Sequence, residues 1–557
     1  MTEKVFIGVA WPYASGPSHL GQIVGSVLPA DIFARFHRMK GSEVLMVSGS
    51  DQHGTPITIK AEQEGKTPKE LAAYYHNIFL DVWRKLGITF DLFTSTETTN
   101  HAQVAQDIFL TLIKKDYIYK AKMLQPYCAK CNRFLPDRYI EGKCPHCGFE
   151  QSRGDQCDSC GRPLNPWELV RPHCRLCSGT PEFKESEHFF LKLSAFQDKI
   201  QTWVDKQTHW RPNVINTTQR YLKEGLKDRA ITRDIEWGIP LPLPGYEGKR
   251  LYVWFEAVIG YLSASKEWAA IQDKPDKWQE FWNGNAKSYY FIGKDNIPFH
   301  TIIWPAMLMG YDEGLNLPYD VPSNEFLTIE GKKVSTSRNW AVWTPDYLTR
   351  YDPDPLRYLL TANMPEAGDT DFSWREFVRR NNDELVATYG NLVNRVLAFV
   401  YRNYDGAVPV PAVYDSRSQT LLEKMKDTFR KADESLSACH FKEAIWVVMS
   451  LAQETNRYLD EKSPWKTIKQ DKQAAATSLY VAIVVISALR TMFYPFLPFS
   501  SKQLSIYLGF QENVEADGWQ LHLPVPGQKL VLPKPLFTKL EDKVVEEETA
   551  RTGKVGN

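Results

Sequence analysis

Val5-Phe6-Ile7-Gly8-Val9-Ala10, a proline- and glycine-bearing loop over 12–17, and then Ser18-His19-Leu20-Gly21-Gln22 make up the stretch whose reading decides the fold. The apolar run before turn signals reads as a strand buried on both faces. Ser18 is a good N-cap, so a helix is expected from about His19 to Met39, with His19 in its first turn. A second strand is expected over 44–48. Strand, glycine-containing loop, helix start and strand open a nucleotide-binding βαβ unit. In such a unit, free backbone N–H groups and the positive end of the helix dipole face a phosphate. Gly21 allows close approach to the backbone, and His19 adds a donor aimed at the phosphates. A lone His-x-Gly is a weak signal that by itself favours an incidental histidine.

Outward from this unit the patterning changes in blocks. Residues 1–117 read as the first half of an α/β domain, and 118–235 as an insertion carrying four Cys-x-x-Cys pairs. Residues 236–325 return to α/β, with strands expected over 250–255 and 288–293. Residues 326–380 form a linker region. Over 381–510, Leu385, Tyr389, Leu392, Val393, Val396 and Val400 recur at helical spacing, which points to an all-α bundle. Residues 511–557 extend the chain, and the charged stretch 541–557 is expected to fray. The fold class is therefore α/β: a Rossmann-type parallel sheet with a zinc-binding insertion, followed by a helix bundle.

At 557 residues the chain is too long for one core. A formal net charge of zero argues against a polyanion binder relying on overall charge, while leaving a local basic face open. No basic and apolar leader precedes Val5, so a cytoplasmic location is expected. The uncharged run 473–489 is short for a membrane span and reads as a buried helix. Without an export signal, the eight paired cysteines read as zinc thiolates. The pairs are Cys128/Cys131, Cys144/Cys147, Cys157/Cys160 and Cys174/Cys177. They suffice for two complete tetrahedral sites with no open position, hence structural sites, and spacing alone leaves the pairing open. Cys439 reads as a core residue.

A second signal lies in Gly331-Lys332-Lys333-Val334-Ser335-Thr336-Ser337-Arg338, a loop with three cations and several hydroxyls. Cations closing on a phosphorus would stabilise its growing negative charge, although such a run alone reads as a solvated loop. The two stretches together, His19-Leu20-Gly21-Gln22 and Lys333-Val334-Ser335-Thr336-Ser337, resemble the two signatures of class I aminoacyl-tRNA synthetases. The resemblance is to the methionyl branch. It is carried by Ala10-Trp11-Pro12-Tyr13, by Gly49 to Pro56, by Arg233-Asp234-Ile235-Glu236-Trp237-Gly238-Ile239-Pro240, by Val253 to Tyr261 and by Phe291-Ile292-Gly293-Lys294-Asp295. Gln22 and Thr336 stand where those signatures have histidine and lysine, and Val258 where the branch more often has proline.

The resemblance implies ATP-dependent activation of L-methionine and transfer to tRNA(Met). Mg²⁺ would accompany ATP. It places His19, Gly21, Gln22, Arg233, Gly293, Lys294, Asp295, Lys333, Ser335, Thr336 and Ser337 at the ATP site. Asp51 would take the methionine ammonium group. Ala10, Trp11, Tyr13, Trp254, Ala257, Val258, Tyr261, Ile297 and His300 would surround the rest. It also implies nested zinc sites: Cys144, Cys147, Cys157 and Cys160 on one ion, and Cys128, Cys131, Cys174 and Cys177 on the other. Asn391, Arg395 and Trp465 would read the anticodon, with a tryptophan beside proline as a stacking platform. A monomer is expected. Two alternatives remain: a class I synthetase for another amino acid, and a catalytically weakened paralogue that binds tRNA or regulates.

Overall fold

The computed structural model describes residues 2–553 except 137–138, 155–156, 158, 161–163, 165 and 336–338. Its centre is a parallel sheet of five strands: β1 (Lys4–Val9), β2 (Glu43–Ser50), β3 (Leu92–Ser95), β4 (Lys287–Gly293) and β5 (Ser323–Asn324). Their order is β5-β4-β1-β2-β3. The chain runs outward from β1 in one direction, then returns to β4 on its other side, and the order reverses at β1. Ligands bind at such a reversal, beyond the carboxyl ends of the strands. Val5, Phe6, Ile7 and Val9 are fully buried, as the apolar run demands of a strand covered on both faces.

The helix after β1 runs from Leu20 to Met39, with a wider π turn over Ile23–Val27. Its N-cap is His19, not Ser18. The Gln22 side-chain oxygen accepts the His19 backbone N–H at 3.0 Å, which fixes His19 in the extended cap conformation. Ser18 lies one residue earlier. It is fully buried, and its carbonyl receives the Thr344 N–H at 2.8 Å.

The expected strand over 250–255 is mostly helix. Only Arg250–Leu251 pairs, antiparallel to Thr232–Arg233, and a nineteen-residue helix, Val253–Ile271, follows. That helix is buried on most of its surface, so its sequence carries no helical period to read.

The insertion is built on a long antiparallel pair, Ile118–Cys128 against Glu182–Leu191. Cys128 ends the first of these strands, and a smaller three-stranded sheet of Ile140–Lys143, Ser152–Arg153 and Val170–Cys174 leads into Cys144 and carries Cys174. Beyond residue 373 the chain is largely helical up to residue 508. The helix Trp374–Arg380 continues through π turns over Asn381–Gly390 into Asn391–Asn403. Ser416–Ser437, Phe441–Lys462 and Lys472–Phe493 then form the bundle. Lys472–Phe493 is apolar and long enough to cross a membrane, and its apolar window is wholly buried at the bundle centre. The charged tail does not fray throughout. Lys543–Arg551 is a helix whose buried Glu548 receives Arg350 at 2.8 and 2.9 Å and Tyr351 at 2.9 Å. Val544 also packs into the core, but a helix with one valine and one carboxylate buried shows no apolar stripe.

A buried ion network joins the sheet to the bundle. Asp31 accepts hydrogen bonds from Arg35 at 2.9 Å and Arg357 at 2.7 Å, and from Thr89 at 2.8 Å through both its N–H and its hydroxyl. Arg357 also donates to the carbonyls of Phe496, Pro495 and Leu86. Burial alone would raise the Asp31 carboxyl, but the two guanidinium charges hold it down at about 2.

Candidate active site

The chain just beyond the lysine loop meets the helix start that carries the first signature. The Leu20 N–H donates to Val342 O at 3.2 Å, and the Thr344 N–H to Ser18 O, so 342–344 is stitched to the start of the helix. The His19 ring lies 6.2 Å from Trp343, near edge-on. A Cβ on Gly21 would stand 3.0 Å from His19 Nδ1, so glycine makes room for that imidazole. Burial lowers the His19 pKa to about 4, which leaves the ring neutral near pH 7. Its Nδ1 is buried with no hydrogen-bond partner among the described residues, an orphaned polar atom at a helix N-terminus.

The lysine loop is closed at its base. Ser335 and Trp340 exchange backbone hydrogen bonds at 3.0 and 2.9 Å. Lys332 and Lys333 pair with Ile329 and Thr328. Lys332 Nζ lies 4.4 Å over the Trp340 ring. Lys333 is exposed and makes no ion pair among the described residues. Thr336 and Ser337, like Arg338, lie outside the described residues.

Gly293, Lys294 and Asp295 follow directly at the end of β4. Lys294 bridges Glu325 at 2.7 Å and Asp369 at 2.8 Å, so its charge is turned toward carboxylates. Asp295 is raised by desolvation, with Lys294 and Lys333 pulling the other way, which puts Lys333 within electrostatic reach of it. The Arg233 guanidinium is held by the carbonyls of Ala230 and Thr232 and stacks 4.0 Å above Tyr252.

At the ends of β1 and β2 the chain gathers aromatic side chains near the buried Asp51. Trp11 packs into a cradle of two glycines: a Cβ on Gly49 would approach its ring to 2.5 Å and one on Gly260 to 2.7 Å. Asp51 is 3 % exposed, and its backbone pairs with Tyr13. The Trp254 indole N–H donates to the Tyr13 hydroxyl at 2.7 Å, and its ring meets Phe299 edge-on at 4.6 Å. Trp254 is the exposed member of this pair. Ala10 is half-buried beside Trp11, and Val258 and Ile297 are buried. Ala257 precedes Val258 on the same helix.

Tyr261 and His300 are buried partners, with Oη to Nε2 at 2.7 Å. His300 Nδ1–H donates to Asn296 O at 2.8 Å, which leaves Nε2 as the acceptor of the tyrosine proton. Burial lowers His300 to about 4 and raises Tyr261, so both stay neutral. A neutral pair among aromatic walls offers a thioether polarisable surface and no charge.

Sequence reasoning missed the polar wall beneath this pocket, made by Glu97, His101 and Glu256 with His53. The available signal was a glutamate inside an otherwise apolar run, Val253 to Tyr261. Trp343, which backs His19, carried no local signal.

The eight cysteines form two tetrads, Cys128/Cys131/Cys174/Cys177 and Cys144/Cys147/Cys157/Cys160, each with all sulfurs within 4.8 Å of one another. This is the nested pairing. Sulfur separations of 3.4 and 3.9 Å in one tetrad, and 3.6 and 3.9 Å in the other, bracket the roughly 3.8 Å edge of a tetrahedral zinc–thiolate site. Each tetrad could hold a metal ion.

In the bundle, Asn391, Arg395, Asn456, Arg457 and Asp460 line one groove. Arg395 lies 4.4 Å over the ring of Trp465, which is half-buried against Phe399, not fully exposed. The structure thus brings the three expected base-reading residues to one place.

Comparison with known proteins agrees with this architecture. Residues 5–397 match the profile of the class I tRNA synthetases (M), and residues 408–556 that of the anticodon binding domain of methionyl tRNA ligase. A methionine–tRNA ligase of Dehalococcoides mccartyi (strain 195) is 66% identical over 553 residues, covering 99% of this chain and 100% of the relative. One from Thermomicrobium roseum is 51% identical over 578 residues, covering 99% of each. The Mycobacterium tuberculosis methionyl-tRNA synthetase solved with methionyl-adenylate shares the fold at a TM-score of 0.81 and 23% identity, over 96% of this chain and 100% of that one. The chain belongs to the methionine–tRNA ligase family of class I aminoacyl-tRNA synthetases.

Proposed function

We propose that this protein activates L-methionine with ATP and transfers it to the 3′ end of tRNA(Met). One observation carries the reading. The phosphate-facing helix start, the lysine loop and an aromatic pocket with one buried carboxylate converge at the carboxyl edge of a single sheet. The relatives' shared name for the methionine enzyme, at full-length coverage, speaks against a synthetase for another amino acid.

The chemistry is alignment and charge stabilisation. The methionine carboxylate attacks the α-phosphorus in line, pyrophosphate leaves, and no protein nucleophile is needed. Asp51 takes the ammonium group. Tyr261 and His300 sit at the thioether end, and Trp11, Tyr13 and Trp254 close over the side chain. The orphaned His19 Nδ1, the helix N-terminus and Lys333 serve the phosphates, and Asp295 serves the ribose. Gln22 acts indirectly by holding the His19 cap, which a neutral amide does as well as an imidazole. Mg²⁺ travels with ATP.

The tetrads take one zinc each and stabilise the insertion that guides the acceptor end. Asn391, Arg395 and Trp465 read the anticodon. We assign a cytoplasmic monomer.

The test is methionine-dependent ATP–pyrophosphate exchange, with tRNA charging measured in parallel. Wild-type protein should exchange with methionine alone. Trp465→Ala should keep exchange within about twofold while its KM for tRNA rises at least about tenfold, as loss of a stacked base implies. No exchange with any amino acid would leave the weakened paralogue, and equal loss in both assays would remove Trp465 from the anticodon site.

A further inference from the structure

Beneath the amino-acid pocket lies a buried chain of charges that the activation step does not use. His53 is 4 % exposed. Its Nδ1 lies 2.7 Å from Glu256 Oε1 and its Nε2 2.9 Å from Glu97 Oε2. Ionised carboxylates only accept, so both ring nitrogens carry protons and His53 is an imidazolium. Glu256 is fully buried, and its second oxygen meets His101 Nε2 at 3.0 Å. His101 Nδ1 in turn contacts the Ser263 hydroxyl at 2.8 Å. Lys69 approaches Glu97 at 3.6 Å on the outer side. The Trp237 ring lies edge-on to His53, with its N–H on Gln52 O at 2.7 Å.

This chain touches the pocket at two points. The His53 backbone N–H donates to Asp51 Oδ1 at 3.2 Å. Glu256 is flanked on its own helix by Trp254 and Ala257. Asp51 therefore lies beside His53, whose ring is fixed against the buried Glu256. We infer that His53 and Glu256 are positioning residues that set the charge of Asp51, and through it the affinity for the ammonium group of methionine. This rests on Asp51 as the ammonium ligand.

The electrostatics support the geometry. Burial, and then the Glu256 charge, hold the Asp51 carboxyl well above its ordinary range, and the His53 charge opposes them. Burial alone would depress His53, but the Glu256 charge and the hydrogen bonds to Glu256 and Glu97 push it up to about 10. It therefore stays charged through neutral pH. Removing His53 leaves Asp51 facing the Glu256 charge without the opposing cation and favours its neutral form. Removing the Glu256 charge does the reverse.

The experiment is the pH dependence of kcat/KM for methionine in pyrophosphate exchange, using the full chain. The acid limb of that profile reports groups of the free enzyme. In His53→Gln the limb should move up by about one pH unit, with KM at pH 7 up about tenfold and kcat within about twofold. In Glu256→Gln, which keeps the shape, the limb should move down. Inhibition by the hydroxy-acid analogue of methionine, which lacks the ammonium group, should not weaken in His53→Gln. Limbs that stay put, or move the same way in both variants, overturn the inference. If His53→Gln does not fold, Glu256→Gln decides alone, and a limb that does not move down refutes the proposal. Asp51→Asn separates the two readings. An unchanged KM there would refute Asp51 as the ammonium ligand. A raised KM with unmoved limbs in the other two variants would refute only the role of His53 and Glu256.

Discussion

Lys333 and Lys332 are neighbours in sequence with different fates. Lys332 sits over Trp340, an aromatic face that holds a cation. Lys333 is exposed on the next position, within reach of Asp295 at the end of β4. Thr336 supplies no second signature charge, so the transition state leans on Lys333. We expect Lys333→Ala to lower kcat for pyrophosphate exchange about a hundredfold, and Lys332→Ala by less than about tenfold. Stopped-flow measurement of adenylate formation checks both. Near-normal activation in Lys333→Ala would mean that Lys332 or Arg338 carries the charge. At this scale the sequence is read through stretches taken together and not through single residues: His19 before Gly21 is a weak signal alone, and Asp51 enters through the resemblance carried by Gly49 to Pro56. The sequence is not legible where a side chain works on another side chain. Gln22 is expected at the ATP site, and its side-chain oxygen also caps the His19 N–H, a contact that no spacing announces. Nor does a local stretch announce that Trp343 will back His19.

The insertion is an element whose stability comes from its knuckles. Its own core is small, and cysteines make up much of it: Cys128, Cys144, Cys157 and Cys174 are buried there with Leu135, Tyr139, Ile140, Leu164 and Leu169. A cluster of that size does not offset the chain entropy of the knuckle region without added cross-links, whereas Ile118 and the stretch from Phe189 to Ile231 share the core of the sheet. Metal analysis of the purified protein should therefore give two zinc ions per chain. Cys144→Ser should reduce that to about one, and should raise protease sensitivity within 118–235 while the sheet stays folded. Fewer than two ions in the wild type would contradict the two-site reading. Cys-x-x-Cys is visible in any sequence, because the spacing itself is the chemistry. The pairing is not, since it depends on how two small sheets fold over one another. The opposite failure occurs in Val253–Ile271, where burial on nearly all sides erased the period that marks a helix. The wider π turns before Asn391 and around His300 also left no trace in the spacing of apolar residues.

Across the whole molecule, the catalytic sheet and the helical bundle are fastened by a buried charge cluster as well as by apolar contact. Asp31 belongs to the helix after β1, Arg357 to the helix Pro353–Ala362, and the carbonyls of Pro495 and Phe496 to the end of the bundle's central helix. Neither the arginine nor the aspartate stands out in the sequence. A buried ion pair 326 residues apart is written in no local pattern. Replacing Asp31 with Asn leaves Arg35 and Arg357 buried without the carboxylate that both bond, a loss on the order of 3–5 kcal/mol. Because the cluster lies at the junction, we expect Asp31→Asn to split one unfolding transition into two, the bundle separating from the sheet. Calorimetry checks this, and a single unshifted transition would show that apolar packing alone joins the two parts. The pH dependence has a definite sign. The folded carboxyl titrates near 2, below its unfolded value of 3.8. Its contribution is therefore fully present above about pH 4 and is lost as pH falls toward 2. The difference in stability between wild type and Asp31→Asn should be constant from pH 5 to neutrality and should shrink only in that acid window.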